Sequence, residues 1–86
     1  MKEFELIPTN NRKSFYRKAM VIERDNGDIE LKSYDTIVAR IRSGKFERLW
    51  NGYSATTMNH INSFIETFDI KGGGKAWWTS LKVYNY

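Results

Sequence analysis

Residues 29–42 have the sequence IELKSYDTIVARIR, in which apolar and polar side chains largely alternate. The apolar residues at odd positions are Ile29, Leu31, Ile37, Ala39 and Ile41. A period of two residues is typical of β-strands that bury one face, because successive side chains point to opposite sides. Ser33-Tyr34-Asp35 interrupts the alternation, so we expect a bulge or bend there, with the odd positions returning to the core from Ile37.

Turn residues flank this segment on both sides. Asn26-Gly27 suits the positive φ angles of a type I′ hairpin, which predicts that the strands before and after it pair antiparallel. Ser43-Gly44 predicts a second two-residue turn, leading into a strand at Lys45–Trp50. Phe4–Ile7 is a candidate edge strand that ends at Pro8, because proline has no N–H to donate to a neighbouring strand. These elements predict an antiparallel meander of strands.

The pattern changes after Asn51-Gly52. Ser54 is a good N-cap for a helix that begins at Ala55. The apolar residues that recur at helical spacing are Met58, Ile61, Ile65 and Phe68, with Phe64 on their flank. Their spacing predicts an amphipathic helix of about four turns. Such a helix has to lie across one face of the sheet, because a chain of this size needs it to close the core.

The C-terminal part is predicted to contain one more short element. The glycines of Asp69–Gly74 end the first helix, and Lys75–Leu81 forms a short helical turn before an extended tail. The predicted fold class is therefore α+β: an antiparallel meander sheet of three to five strands, packed by one amphipathic helix, with a short C-terminal helical turn. Residues 1–86 are expected to form a single domain.

The composition excludes several classes of function. The chain has 86 residues and no cysteine, which excludes disulfides, zinc–thiolate sites, iron–sulfur clusters and thiol catalysis. The first eight residues lack the apolar region of a signal peptide, and no apolar run approaches the roughly 18 to 20 residues of a membrane helix. We therefore expect a cytoplasmic protein with no membrane partner.

No residue pattern indicates catalysis or a cofactor. Gly72-Gly73-Gly74-Lys75 has part of a phosphate-loop pattern, but Asp69 stands where its first glycine belongs and Ala76 where it needs Ser or Thr. His60, the single histidine, lies at the flank of the apolar stripe and is expected at the surface. We therefore expect a protein that is not an enzyme and that binds no metal or cofactor. An acid–base pair assembled by the fold is a catalytic alternative that the sequence leaves open.

Aromatic residues near the C-terminus predict a partner-binding surface. Trp77 and Trp78 are adjacent, so they cannot both point into the core, and we expect one of them to be exposed. An exposed tryptophan beside a lysine is typical of a binding hot spot. The candidate partner-binding residues are Trp77, Trp78, Lys75 and Tyr53.

The Trp77-Trp78 pair and the segment Trp50–Thr57 each have a structural explanation as well. A tryptophan can instead cover the open end of the sheet together with Tyr84 and Tyr86. One interpretation of the segment Trp50–Thr57 is purely structural, as the connection between a strand and a helix. The alternative is that its first helical turn binds an anion such as phosphate.

The whole chain has a net charge of +4, and its basic residues are concentrated in the first half. Two clusters contain Arg12, Lys13, Arg17 and Lys18, and then Arg40, Arg42, Lys45 and Arg48. Cations and aromatic rings that share one strand face suit a single-stranded nucleic acid. The alternative function is therefore nucleic-acid binding, with Arg12, Lys13, Lys18, Lys32, Tyr34, Arg40 and Arg42 as its candidate residues. A solvated sheet face is the competing explanation, because acidic residues are interspersed.

Several segments carry a resemblance to a known family. They are Asn11–Tyr16, Ser33–Ala39, Leu49–Met58 with His60-Ile61, and Gly73–Lys75 with Trp77-Trp78. On these segments the chain resembles a family of small uncharacterised proteins from low-GC Gram-positive bacteria, their phages and mobile elements. That family has no assigned activity, so the resemblance implies a phage or mobile-element context and supplies no catalytic residues.

The expected function is a non-enzymatic interaction module that binds a protein partner, as an accessory or anti-defence factor of a phage. With a pI near 9.5 the chain does not imitate acidic DNA, so an inhibitory action has to block a protein surface or occupy nucleic acid. An edge strand and an exposed tryptophan both favour self-association, which leaves monomer and dimer as alternatives.

Overall fold

The computed structural model describes residues 1–9 and 14–86, so Arg12 and Lys13 lie outside the described residues. The strands are β1 (Lys2–Glu5), β2 (Ala19–Glu23), β3 (Ile29–Ser33), β4 (Thr36–Arg42) and β5 (Lys45–Arg48), and the helices are α1 (Ala55–Thr67) and α2 (Lys75–Ser80). The strands form one sheet in the order β1-β2-β3-β4-β5, and every neighbouring pair is antiparallel. The predicted α+β fold, a meander sheet with a long helix and a short C-terminal one, is confirmed.

A β-bulge changes which residues of β4 face the core. Leu31 pairs with Ala39, but Lys32 pairs with Ile37, so Val38 is the extra residue between these two pairs. Val38 is 1% exposed and belongs to the core, whereas Ile37 is only half-buried and lies outside the core cluster. The bulge was expected from the interrupted alternation, but the prediction that Ile37 returns to the core was wrong by one residue.

One of two predicted hairpin turns has the expected backbone conformation, and the other does not. Ser43 and Gly44 both have positive φ, 53° and 77°, as a two-residue turn of this kind requires. At the other turn only Gly27 has a positive φ, 95°, and its N–H donates to the carbonyl of Arg24 at 3.0 Å. The type I′ prediction for Asn26-Gly27 was therefore wrong, because Asn26 occupies the turn centre and Gly27 follows it.

Helix α1 begins at Ala55, and the Ser54 hydroxyl accepts a hydrogen bond from the Thr57 N–H at 3.1 Å, as the N-cap prediction required. Its buried apolar residues are Met58, Ile61, Phe64 and Ile65. They pack in one cluster with side chains of the sheet, including Val21, Leu31, Val38, Ala39 and Ile41. Each large side chain removed from water in this way contributes roughly 1.5 to 3 kcal/mol, so this interface is the main stabilising feature of the fold.

The buried face of α1 is wider than its apolar stripe. His60 is 2% exposed, although it was expected at the surface, and Ser63 is 1% exposed. Their polar atoms are satisfied within the protein, because no buried side-chain nitrogen or oxygen of the described residues lacks a hydrogen-bond partner. The prediction of a surface histidine was therefore wrong.

Candidate functional site

The two adjacent tryptophans are both used in packing. Trp78 is fully buried, and its indole Nε1–H donates to the carbonyl of Gly52 at 2.8 Å. Trp77 is half-buried: its ring lies 5.2 Å from that of Phe46, and a Cβ built on Gly72 would come within 2.2 Å of it. The prediction that one tryptophan is exposed was wrong, because the glycine at position 72 lets the chain fold closely over the second ring.

Arg48 holds together the segment between β5 and α1. Its side chain is buried, with 6% exposure, and its guanidinium lies 4.6 Å over the Trp78 ring. Four backbone carbonyls accept its hydrogen bonds: Trp50 and Trp78 at 2.9 Å, Leu81 at 3.3 Å and Gly52 at 3.4 Å. Among residues 1–9 and 14–86 no carboxylate forms an ion pair with it. This cation therefore organises the backbone and is not available to bind phosphate.

The segment fixed in this way displays Tyr53. The Tyr53 side chain is 40% exposed, and the Lys75 ammonium lies 5.0 Å from the centre of its ring. Next to it, Gly52 lies flat against the Trp50 indole, because a Cβ there would be 2.4 Å from that ring. We call Tyr53 and Lys75 the aromatic platform. It offers an aromatic ring and an ammonium group, which suit a partner surface with an apolar patch and a carboxylate beside it.

Arg40 and Arg42, on the sheet face opposite α1, are not free cations, contrary to the nucleic-acid interpretation of these two residues. Arg40 is 3% exposed and pairs with Glu47 at 2.6 Å. The Arg42 guanidinium pairs with Asp28 at 2.7 Å, which lowers the pKa of the Asp28 carboxyl and raises the pKa of Arg42. Because each of these arginines has a carboxylate partner, their charges are largely neutralised.

The other candidate nucleic-acid residues lie at one end of the sheet. Lys18 and Tyr34 are exposed and adjacent, with the Lys18 ammonium 5.7 Å from the Tyr34 ring centre, and Lys32 is half-buried nearby on β3. Tyr16, in the turn before β2, is 74% exposed. The cations and rings at this end of the sheet are accessible, whereas Arg40 and Arg42 are paired with carboxylates.

A buried polar cluster lies behind Tyr34. The Ser33 hydroxyl is 2.8 Å from His60 Nδ1 and 3.0 Å from the Thr57 hydroxyl, and the His60 ring packs edge-on against Phe15 at 4.6 Å. A serine and a histidine at this distance have the geometry of a nucleophile and its base. All three polar residues are at most 5% exposed, so a substrate has no access to the pair in this arrangement. The cluster therefore joins β3 to α1 as a structural network.

A cleft of about 380 Å³ lies between α1 and the glycine-rich loop before α2. Thr9, Asn62, Ser63, Glu66 and Gly73 are among its lining residues, and the Asn62 side-chain oxygen accepts the Gly74 N–H at 3.2 Å. Glu66 is the one titratable lining residue in the described chain, so the cleft lacks the paired groups that acid–base catalysis uses. The glycine loop connects two helices, as expected for a helix terminus.

No group of three His, Cys, Asp or Glu side chains within residues 1–9 and 14–86 is arranged to hold a metal ion. In the same residues, no helix combines the length and the apolar character needed to cross a bilayer.

Residues 3–80 match a family of unknown function (DUF8033). No curated protein and no solved structure matches the chain significantly.

Proposed function

Because the chain belongs to this family of unknown function, we propose its role from its surface: it is a non-enzymatic interaction module that binds a protein partner through the aromatic platform. The observation that supports this most directly is the display of a half-exposed Tyr53 on a backbone segment fixed by Arg48 and Trp78. Binding hot spots are enriched in tyrosine, tryptophan and arginine, and they work best when their geometry exists before binding.

The fixed backbone lowers the entropy that binding would cost. The Gly52 carbonyl, next to Tyr53, accepts hydrogen bonds from both Arg48 and the Trp78 indole. Ordering a mobile side chain on binding costs about 0.5 to 1.5 kcal/mol, and the Lys75 ammonium over the ring already restricts Tyr53. The same ammonium can pair with a carboxylate of the partner. The partner is therefore a protein surface with an apolar patch and an acidic group beside it.

The biological context is part of the same proposal. A phage or mobile-element accessory role, including inhibition of a host defence protein, is supported by the family resemblance of the segments around Tyr34, Tyr53 and Trp77. A cytoplasmic location is supported by the cysteine-free composition. Blocking a protein surface is the mode of action that fits a basic chain with a preformed aromatic platform.

Self-association along β1 is not part of the proposal. An antiparallel copy that continues the sheet must pair residues of the same face, which sets Glu3 opposite Glu3 or opposite Glu5 of the second copy. Like charges directly opposite each other destabilise a strand pair, and charged edge residues are a common defence against such pairing.

The test is affinity capture from host lysate treated with nuclease. We expect a stoichiometric protein to be recovered with the natural chain and lost with the double variant Tyr53→Ala, Lys75→Glu. The matched control is Tyr84→Ala, because Tyr84 is also 40% exposed and carries Lys82 over its ring at 5.1 Å. Recovery of no protein, or equal recovery with the double variant, would contradict the proposal.

A further inference from the structure

We propose that a second surface, at the end of the sheet where the turns before β2 and β4 meet, binds single-stranded nucleic acid. It consists of Tyr16, Arg17, Lys18, Lys32 and Tyr34, and we call it the tyrosine end. It shares no residue with the aromatic platform and goes beyond the proposed function.

The turn before β2 has an unusual backbone. The Lys18 N–H donates to the Phe15 carbonyl at 3.0 Å, and the two residues between them, Tyr16 and Arg17, have φ angles of 54° and 62°. Two successive left-handed residues are typical of Asn-Gly turns, since a side chain in this region costs of order 1 to 3 kcal/mol. Both side chains are exposed, so packing in the core does not explain why they are here.

Glu5 and Ser14 hold this strained turn in place. One carboxylate oxygen of Glu5 accepts hydrogen bonds from the Ser14 hydroxyl at 3.0 Å and from the Arg17 N–H at 2.9 Å. The Ser14 hydroxyl in turn accepts the Tyr16 N–H at 2.8 Å. The turn is therefore fixed from below while the Tyr16 ring, 74% exposed, and the Arg17 guanidinium extend into solvent.

Tyr34 extends the same surface from the neighbouring turn. Its φ is 55°, and its N–H donates to the Lys18 carbonyl at 2.7 Å, which ties the two turns together. Its ring is 48% exposed and is backed by the buried His60 ring at 5.8 Å. Of the five non-glycine residues with positive φ in the described chain, three belong to the tyrosine end. Strain concentrated in this way is characteristic of binding sites, where it fixes the display of side chains.

The charges of this surface are available to a ligand. Arg17, Lys18 and Lys32 form no ion pair within the described part of the chain, in contrast to Arg40 and Arg42. The acidic neighbours are Glu5, whose carboxylate is engaged by the turn, and the exposed Asp35.

Two accessible rings among three cations match what a single strand requires. Unpaired bases stack on tyrosine faces, and the cations contact the phosphates. A duplex offers only the phosphates, because its bases are already stacked on each other. The geometry therefore favours a single strand over a duplex.

Binding is measured by fluorescence anisotropy with a labelled oligothymidylate of about 12 nucleotides, a length within the range of known single-strand sites. Three phosphate contacts predict that log K falls with log salt concentration with a slope of about −2, since each contact contributes about −0.7. We expect Arg17→Gln to reduce that slope by about 0.7.

Glycine variants separate binding from folding. Tyr16→Gly and Tyr34→Gly each remove a ring at a position whose backbone glycine adopts without strain, so the variants should be at least as stable as the natural chain. Each should bind the oligonucleotide at least about five-fold more weakly, as the loss of one stacked base predicts. Tyr53→Ala and Tyr84→Ala should bind as the natural chain does.

The contrary results are equally specific. Absence of oligonucleotide binding at about 50 mM salt, or binding that both glycine variants retain, would overturn the proposal. The proposal would also be overturned if the chain bound no oligonucleotide and Tyr16→Gly failed to capture the protein partner from nuclease-treated lysate. The tyrosine end would then be a protein contact. Failure of the proposed function is distinguishable from failure of this inference. The aromatic platform is tested by protein capture with the Tyr53 and Lys75 variants, and the tyrosine end is tested by oligonucleotide binding.

Discussion

Replacing Arg48 by methionine should destabilise the protein by about 2 to 3 kcal/mol. Methionine keeps the apolar stem in place and removes the guanidinium. Four backbone carbonyls lose a donor. The Gly52 carbonyl still accepts a hydrogen bond from the Trp78 indole, and the Trp78 carbonyl still accepts one from the Leu81 N–H. The carbonyls of Trp50 and Leu81 are then left without a protein donor among the described contacts. Each unsatisfied buried carbonyl costs about 1 to 3 kcal/mol, and water can reach these two in part.

Urea unfolding of Arg48→Met, compared with Arg42→Met, measures this cost. Arg42 is also paired, but its side chain is 47% exposed, so its removal should cost at most about 1 kcal/mol. For a domain of this size, a loss of 2 to 3 kcal/mol lowers Tm by roughly 8 to 24 °C. Equal midpoints for the two variants would refute the role assigned to Arg48. Arg48→Met should also weaken capture of the protein partner through Tyr53, while leaving oligonucleotide binding unchanged.

Three further changes have defined outcomes. His60→Ala should lower the free energy of unfolding by about 2 kcal/mol or more in urea, because a buried ring and a buried hydrogen bond are lost; a change below about 0.5 kcal/mol would show that the residue is at the surface. The pKa of Asp28 lies below its ordinary value of 3.8, so its pair with Arg42 stabilises the fold above that pH and is lost as the pH falls through the lowered pKa. Asp28→Asn should therefore reduce the loss of thermal stability as the pH falls below 3.8, and an unchanged profile would contradict the pairing. Gly52→Ala places a methyl group 2.4 Å from the Trp50 ring and should cost about 1 to 3 kcal/mol with a shift in tryptophan fluorescence, whereas a neutral substitution would exclude the close contact.

Local pattern was sufficient to predict most of the fold. The alternation in residues 29–42 predicted the central strands, and Ser54 marked the start of α1 correctly. These features depend on residues close together in the sequence, for which side-chain period and capping chemistry are reliable guides. The bulge at Val38 shifted the core-facing register by one residue, which alternation alone does not specify.

Buried polar residues were predicted poorly because their partners are distant in sequence. His60 was predicted to lie at the surface, yet Ser33, 27 positions away, hydrogen-bonds to it in the interface between β3 and α1. Arg48 was assigned to a basic cluster, but its hydrogen-bond acceptors include the carbonyl of Trp78, 30 positions away. Burial of such groups depends on tertiary hydrogen bonds that no short pattern encodes.

The candidate sites were predicted in part. Tyr53 and Lys75 were both proposed as partner-binding residues, and the fold brings their side chains together. Trp78 was placed in the same set, but it belongs to the core. The left-handed turn at Tyr16 and Arg17 had no signal in the sequence, because neither residue type favours positive φ.

Site-specific photocrosslinking tests the central claim most directly, because it reports whether Tyr53 itself touches a partner. A photoreactive benzoylphenylalanine replaces Tyr53 in one variant and Tyr84 in another, and each is irradiated in nuclease-treated host lysate. Both positions are 40% exposed, so they are equally open to non-specific reaction. The account predicts a single protein adduct at position 53 and none at position 84. No adduct at position 53, or the same adducts at both positions, would contradict it.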